Sequence, residues 1–171
     1  ASAVLESELV PSLVDLVSVQ WEAGNDAQVA LCVCAFANLA DVGCSRHLVD
    51  TGAFELCVNL LQAEDASVQL YAAAAIQNVL SDDVVAGDSG VAEFAYGQRL
   101  TGVLAALAQS PETFVAEMAA GGLSNLASSP AMRSLSAAVI VQAAFRGKLV
   151  RRAAERRRKG GGGMEAVAEE E

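Results

Sequence analysis

Lysine is missing from the first 133 residues of this 171-residue chain, and only Arg46, Arg99 and Arg133 stand there against sixteen acidic residues. A surface with that balance repels phosphate, which argues against nucleic acid as a partner of this part. Aromatic residues total eight, too few for a β-sandwich, whose strands favour aromatic and β-branched side chains. No uninterrupted apolar run approaches the ~18–20 residues of a membrane helix. Glu6, Glu8 and Asp15 exclude a signal or transit peptide at the start. None of the five asparagines begins an Asn-x-Ser/Thr acceptor. The four cysteines, Cys32, Cys34, Cys44 and Cys57, form no C-x-x-C pair, and Cys32 and Cys34 point to different sides of any helix that carries them. Zinc and redox roles are thereby disfavoured, and buried thiols in a reducing compartment are expected.

Catalytic groups are equally scarce. The single histidine, His47, stands beside Arg46 and Asp50 and reads as a surface residue, not a general base. No Ser-His-Asp set or dinucleotide-binding glycine pattern occurs, and Gly160–Gly163 lacks both the preceding strand and the Lys-Ser/Thr of a phosphate cradle. No enzyme, metal or cofactor is expected.

What the chain does have is alanine, 34 residues of it, within a composition that is 53% apolar and 19% charged. Alanine has the highest helix propensity and loses no side-chain entropy, so closely packed helices are the natural use of such a sequence. The charge is strongly segregated. Residues 1–133 carry a net −13, residues 134–159 carry eight basic residues against Glu155, and residues 160–171 carry four glutamates and no base. Three parts follow: a repeat domain over 1–133, a basic helix over 134–159, and a glycine linker with an acidic tail over 160–171.

The first part repeats itself. Segments starting at Gln28, Val68 and Val115 run to Asn38-Leu39-Ala40, Asn78-Val79-Leu80 and Asn125-Leu126-Ala127, with Leu31, Tyr71 and Met118 in register, and likewise Phe36, Ile76 and Leu123. The asparagines lie 40 and 47 residues apart, a period proper to helical repeats. Each segment follows another with apolar residues three and four apart: Pro11–Val17, Phe54–Leu61 and Leu100–Leu107. Ser45–Gly52 reads as a short helix closed by Gly52 in the left-handed conformation. Asp88–Gly97 reads as a longer, less regular connection. Gly121-Gly122 falls inside the third Asn-bearing helix, where each glycine costs about 0.8–1 kcal/mol relative to alanine unless close packing compensates.

A short helix, a glycine, an apolar helix, a turn and a helix ending in Asn-Leu-Ala resemble the armadillo repeat over about residues 5–130. The resemblance implies an all-α, right-handed α-solenoid of about two and a half repeats followed by a long basic helix. It also implies a groove for a protein partner along Asn38, Asn78 and Asn125. The family's import receptors carry Trp four residues before such asparagines, whereas Cys34, Ala74 and Gly121 stand here, so import-receptor function does not carry over. The plainer reading of the asparagines is structural: they bond neighbouring backbone and hold the repeat geometry.

The basic helix has its own pattern. Ala138, Val141, Phe145 and Leu149 form one apolar stripe on it, the design of a calmodulin target or a membrane-surface helix. Val141-Gln142, Arg146-Gly147 and Arg151, with Ile140 and Phe145 alongside, resemble the IQ motif, whose members bind calmodulin or related EF-hand light chains. The resemblance implies that Val141, Phe145 and Leu149 enter apolar clefts of the partner, while Gln142 bonds its backbone. Arg146 and Arg151 meet its carboxylates, and Gly147 permits close approach. A helix that merely packs on the last repeat is the plainer alternative. Taken together, the sequence reads as a cytoplasmic protein-binding scaffold or adaptor, with cytoskeletal, ciliary and nuclear placements open. The alternative is a structural cytoskeletal or axonemal component whose basic helix caps the solenoid or touches acidic partners.

Overall fold

Three long helices sharing one sequence pattern stack side by side, and the rest of the fold is arranged around them. The computed structural model describes residues 8–136. The chain divides into two units, residues 1–133 and 134–171, and the architecture below is that of the first. All regular structure among the described residues is helical: α1 (Leu9–Glu22), α2 (Asp26–Leu39), α3 (Ser45–Asp50), α4 (Ala53–Leu60), α5 (Ala66–Leu80), α6 (Asp83–Ala86), α7 (Ser89–Gly97), α8 (Leu100–Leu107) and α9 (Thr113–Ser128). Residues 130–136 are helical again.

The main ladder runs α2 on α5 on α9. A second layer of α1, α4 and α8 lies against it, each helix packed on the long helix that follows it in sequence. α3 and α7 supply a short third helix to the second and third units. The architecture is an all-α solenoid of about two and a half repeats.

Local chemistry explains where these helices begin. Asp65 stands in an extended conformation before α5, and its carboxylate accepts from the Ser67 and Val68 amides at 2.8 and 3.0 Å. Asp82 and Asp88 do the same for α6 and α7. Each such cap satisfies amides that an open helix end leaves without partners, worth about 1 kcal/mol. Gly52 takes φ 81° just past α3 and admits the turn into α4. Between α2 and α3 a π-helical turn, Ala40–Cys44, is broken at Gly43 with φ 86°. That break also interrupts the one helical stretch among the described residues, 26–50, long and apolar enough to cross a membrane. Here Val29, Val33 and Phe36 of that stretch face the solenoid core.

The core is aliphatic, with small residues where helices come closest. Phe36, Leu48, Ile76, Leu100 and Leu104 are fully enclosed, each contributing about 1.5–3 kcal/mol by burial. Ala72, Ala73 and Ala75 of α5 are buried as well and let its two neighbours approach. Phe54 and Phe94 meet edge to face with ring centres 6.1 Å apart, joining α4 to α7. Arg46 of α3 bridges Asp50 and Asp88, and so links α3 to the cap of α7.

Three sequence expectations need correction. Residues 88–97 are no irregular connection: Asp88 caps a nine-residue helix that buries Val91, Ala92 and Ala95. It occupies the place in the third unit that α3 holds in the second. His47 is not a simple surface residue, because it is half-buried and its Nε2 is enclosed without a hydrogen-bond partner among the described residues. Of the four free thiols, Cys44 and Cys57 are buried, but Cys32 and Cys34 are only half-buried.

Candidate functional site

The repeat register places one face of each ladder helix in line. Seven residues before the asparagines stand Leu31, Tyr71 and Met118, and four before them Cys34, Ala74 and Gly121. Positions i, i+3 and i+7 share a helix face, so α2, α5 and α9 present three parallel rows: large apolar, small, and asparagine. Leu31 is 71% exposed and Phe114, one turn before Met118, is 69% exposed. No lysine or arginine stands on any of the three helices, which carry Asp26 and Glu117 as their only charges.

The asparagines act between repeats. Asn78 Nδ2 donates to the Ala37 carbonyl at 3.1 Å, and Asn125 Nδ2 donates to the Gln77 carbonyl at 2.9 Å. Each reaches the residue just before the preceding repeat's asparagine, so the two bonds form equivalent rungs. Asn38 stands at the first position of this row and turns its Nδ2 toward Cys34 Sγ at 3.8 Å within its own helix. One side-chain N–H of Asn78 and one of Asn125 is thus occupied in holding the ladder together. These bonds perform the geometry-holding role that the sequence favoured for the asparagines.

Of the glycine pair, the packing against Gln77 explains Gly121. A Cβ at Gly121 would stand 2.5 Å from Gln77 Cδ, so its absence makes the slot in which the Gln77 side chain lies. Gln77 Oε1 is enclosed there without a partner among the described residues. At Gly122 a Cβ would meet Leu104 Cδ1 at an ordinary 3.5 Å and Gln77 Cα at 3.8 Å. The register glycine Gly52 has its counterpart 47 residues on in Arg99, the one non-glycine at positive φ (55°) among the described residues.

Some ionisable groups are shifted by their surroundings in the fold. Burial pushes the Cys57 thiol up to about 12. Asp88 is held below its ordinary range by hydrogen bonds from Arg46 and from the Gly90 and Val91 amides. Among the described residues no group of three or more His, Cys, Asp or Glu side chains could hold a metal ion. Ile140, Val141, Gln142, Phe145, Arg146, Gly147, Leu149 and Arg151 lie outside the described residues.

Residues 41–81 match the family model of the Armadillo/beta-catenin-like repeat. The matched stretch takes in the turn after α2, then α3, α4 and α5, one complete three-helix unit. The class of protein so defined is an α-solenoid with an armadillo-like repeat, and repeats of that kind generally mediate protein–protein interaction and typically serve as non-enzymatic scaffolds. No curated protein and no solved structure matches the chain.

Proposed function

We propose that this protein is a binding scaffold with two separate partners: a protein segment held on the α2–α5–α9 face, and calmodulin or a related EF-hand light chain on residues 134–159. The observation that carries the second half is the co-occurrence of Val141-Gln142, Arg146-Gly147 and Arg151 within residues 134–159, a stretch of net +7. Calmodulin-type proteins are acidic and open apolar clefts, so one helix offering a Val141–Phe145–Leu149 stripe and guanidinium groups meets both features. The groove half rests on exposed Leu31 and Phe114 beside the asparagine row. Because each rung bond uses one N–H of Asn78 or Asn125, those side chains would offer a bound segment their Oδ1 acceptors and remaining N–H. A cytoplasmic placement goes with this reading.

Titration of calmodulin into the full chain, with and without calcium, tests the proposal. Binding tighter than about 10 µM, equivalent to roughly −7 kcal/mol, is expected in at least one condition, with a loss of tenfold or more in a Gln142→Ala/Arg146→Ala variant. Absence of binding in both conditions sinks the assignment. A steep fall of affinity with salt, unaffected by Gln142→Ala, would instead identify a polyelectrolyte contact of the Arg156–Lys159 run, as a cytoskeletal component with acidic partners requires.

A further inference from the structure

The slot at Gly121 holds a polar group that gains no hydrogen bond there. Cδ, Oε1 and Nε2 of the Gln77 carboxamide lie 2.5, 2.6 and 2.8 Å from where a Cβ of Gly121 would stand. The carboxamide therefore rests against the bare face of α9. Its Oε1 is enclosed with no donor among the described residues. An acceptor buried in that way gives up its bonds to water and receives none in return. Turning the group over would only put Nε2 in the same place. Alanine at position 121 would suit a helix better than glycine. The three nearest atoms its Cβ would meet all belong to the end of this one side chain.

The slot belongs to the row of small residues on the ladder face, between Met118 and Asn125. By register the equivalent pair between α2 and α5 is Ala37 and Ala74, which has neither a long polar side chain nor a missing Cβ. The Gln77 backbone is fixed, because its carbonyl accepts from Asn125 Nδ2 at 2.9 Å and from the Ser81 amide at 3.1 Å. The side chain alone can leave the slot, by rotation about its own bonds and with the rung intact. Outside, the carboxamide regains its bonds to water. What it vacates is a space for three branched heavy atoms, the size of the isopropyl end of a leucine or valine. An apolar group of that size leaves no polar atom unpaired. An ammonium or carboxylate would be buried without a counter-charge, since Ala74, Met118, Gly121 and Asn125 carry none.

We propose that the Gly121 slot is a side-chain pocket of the α2–α5–α9 face, closed in the free protein by Gln77 and opened by a bound segment that places a leucine or valine side chain in it. The inference rests on that face being the seat of a protein segment, and adds which residue of the segment is selected and by what. Gln77 acts as the gate. Because closure lowers the fraction of molecules ready to bind, it weakens the apparent affinity by that fraction. The unpaired Oε1 keeps the closed state from being strongly favoured, so the gate yields to an apolar side chain of the right size. Larger aromatic rings exceed the slot, and small polar side chains would repeat the unpaired burial that Gln77 already suffers.

Three variants with opposite expected effects test this in the full chain. Gln77→Ala empties the slot, Gln77→Met keeps an apolar chain of equal length in it, and Gly121→Ala fills it from α9. The probe is N-acetyl-L-leucinamide, titrated to roughly 50 mM, the weak range open to so small a molecule, with N-acetylglycinamide as the blank. By NMR the leucine probe is expected to shift the Gly121 amide and the Gln77 side-chain amide, and the blank neither. Affinity should rise about fivefold in Gln77→Ala and be lost in Gln77→Met and Gly121→Ala, with helicity unchanged by circular dichroism. No shift at Gly121 in the parent and in Gln77→Ala overturns the proposal, as does equal affinity across the variants. Equal loss in Gln77→Ala and Gln77→Met also overturns it, since Gln77 would then be a direct contact and not a gate. Peptides selected from a random displayed library separate this from failure of the face itself. Peptides that protect α2, α5 and α9 from exchange yet bind all variants alike refute the slot and leave the face standing. Selection of no such peptide counts against the face, and the leucinamide titration then decides the slot alone.

Discussion

Gly52 and Arg99 do the same backbone work with different residues, and exchanging their character gives a calculable result. Both sit in the left-handed region, at φ 81° and 55°, just ahead of the second-layer helices α4 and α8. Around Gly52 an added Cβ meets nothing within 4 Å, so Gly52→Ala isolates the backbone term. An L-residue in that region costs about 1–2 kcal/mol. The narrower unfolded ensemble of alanine returns about 0.4–1 kcal/mol. The expected net loss is about 1 kcal/mol. Arg99→Gly runs the argument in reverse at an exposed side chain and should gain about 0.5–1 kcal/mol. Urea unfolding followed by circular dichroism reads both, with an unchanged m-value as the control for the unfolded state. In thermal melts each kcal/mol amounts to about 3–4 °C for a domain of this size. A neutral Gly52→Ala, or an Arg99→Gly that destabilises by 1 kcal/mol or more, would refute the equivalence of the two corners.

Further outcomes follow from the rungs, the thiols and the ion pair. Asn125→Ala removes a rung, yet the Gln77 carbonyl keeps its bond from the Ser81 amide, so the loss in urea unfolding should fall near the low end for a hydrogen bond, about 0.5–1 kcal/mol. Native protein at pH 8 should react with a thiol reagent at half-buried Cys34 well before Cys57, whose enclosed thiol is raised to about 12 by burial and reacts only on unfolding. Asp88 is depressed below its ordinary 3.8 in the folded state. Its contribution is therefore complete above that value and lost as pH falls through the folded-state value. Asp88→Asn keeps an oxygen for the α7 cap, and its stability should fall less steeply than that of the parent chain as pH drops below about 4.

The ladder was legible in the sequence because its signal is periodic. Leu31, Tyr71 and Met118, and the asparagines behind them, recur at a spacing that only stacked helices explain, and Gly52 announced its own conformation. The third unit was harder to see. Its corner residue is Arg99, which no propensity marks as left-handed. Its short helix contains Gly90 and Gly97, so the composition of a loop conceals a helix set by the Asp88 cap and the Val91/Ala92/Ala95 face. The Gly121 slot depends on Gln77, 44 residues away in sequence, and no local pattern reports such a pairing. The enclosure of His47 Nε2 likewise arises from packing around α3, beyond what its neighbours Arg46 and Asp50 disclose. For the asparagines, the sequence located the row and favoured a structural role. The structure adds that Asn78 and Asn125 bond one repeat to the next.

The proposed function divides recognition between an α-solenoid and the basic segment 134–159. Hydrogen exchange of the full chain, with and without saturating calmodulin, tests it most directly. The account predicts new protection within residues 138–152 and unchanged exchange in α2, α5 and α9. Protection appearing along those three helices, or none between Val141 and Arg151, would contradict it.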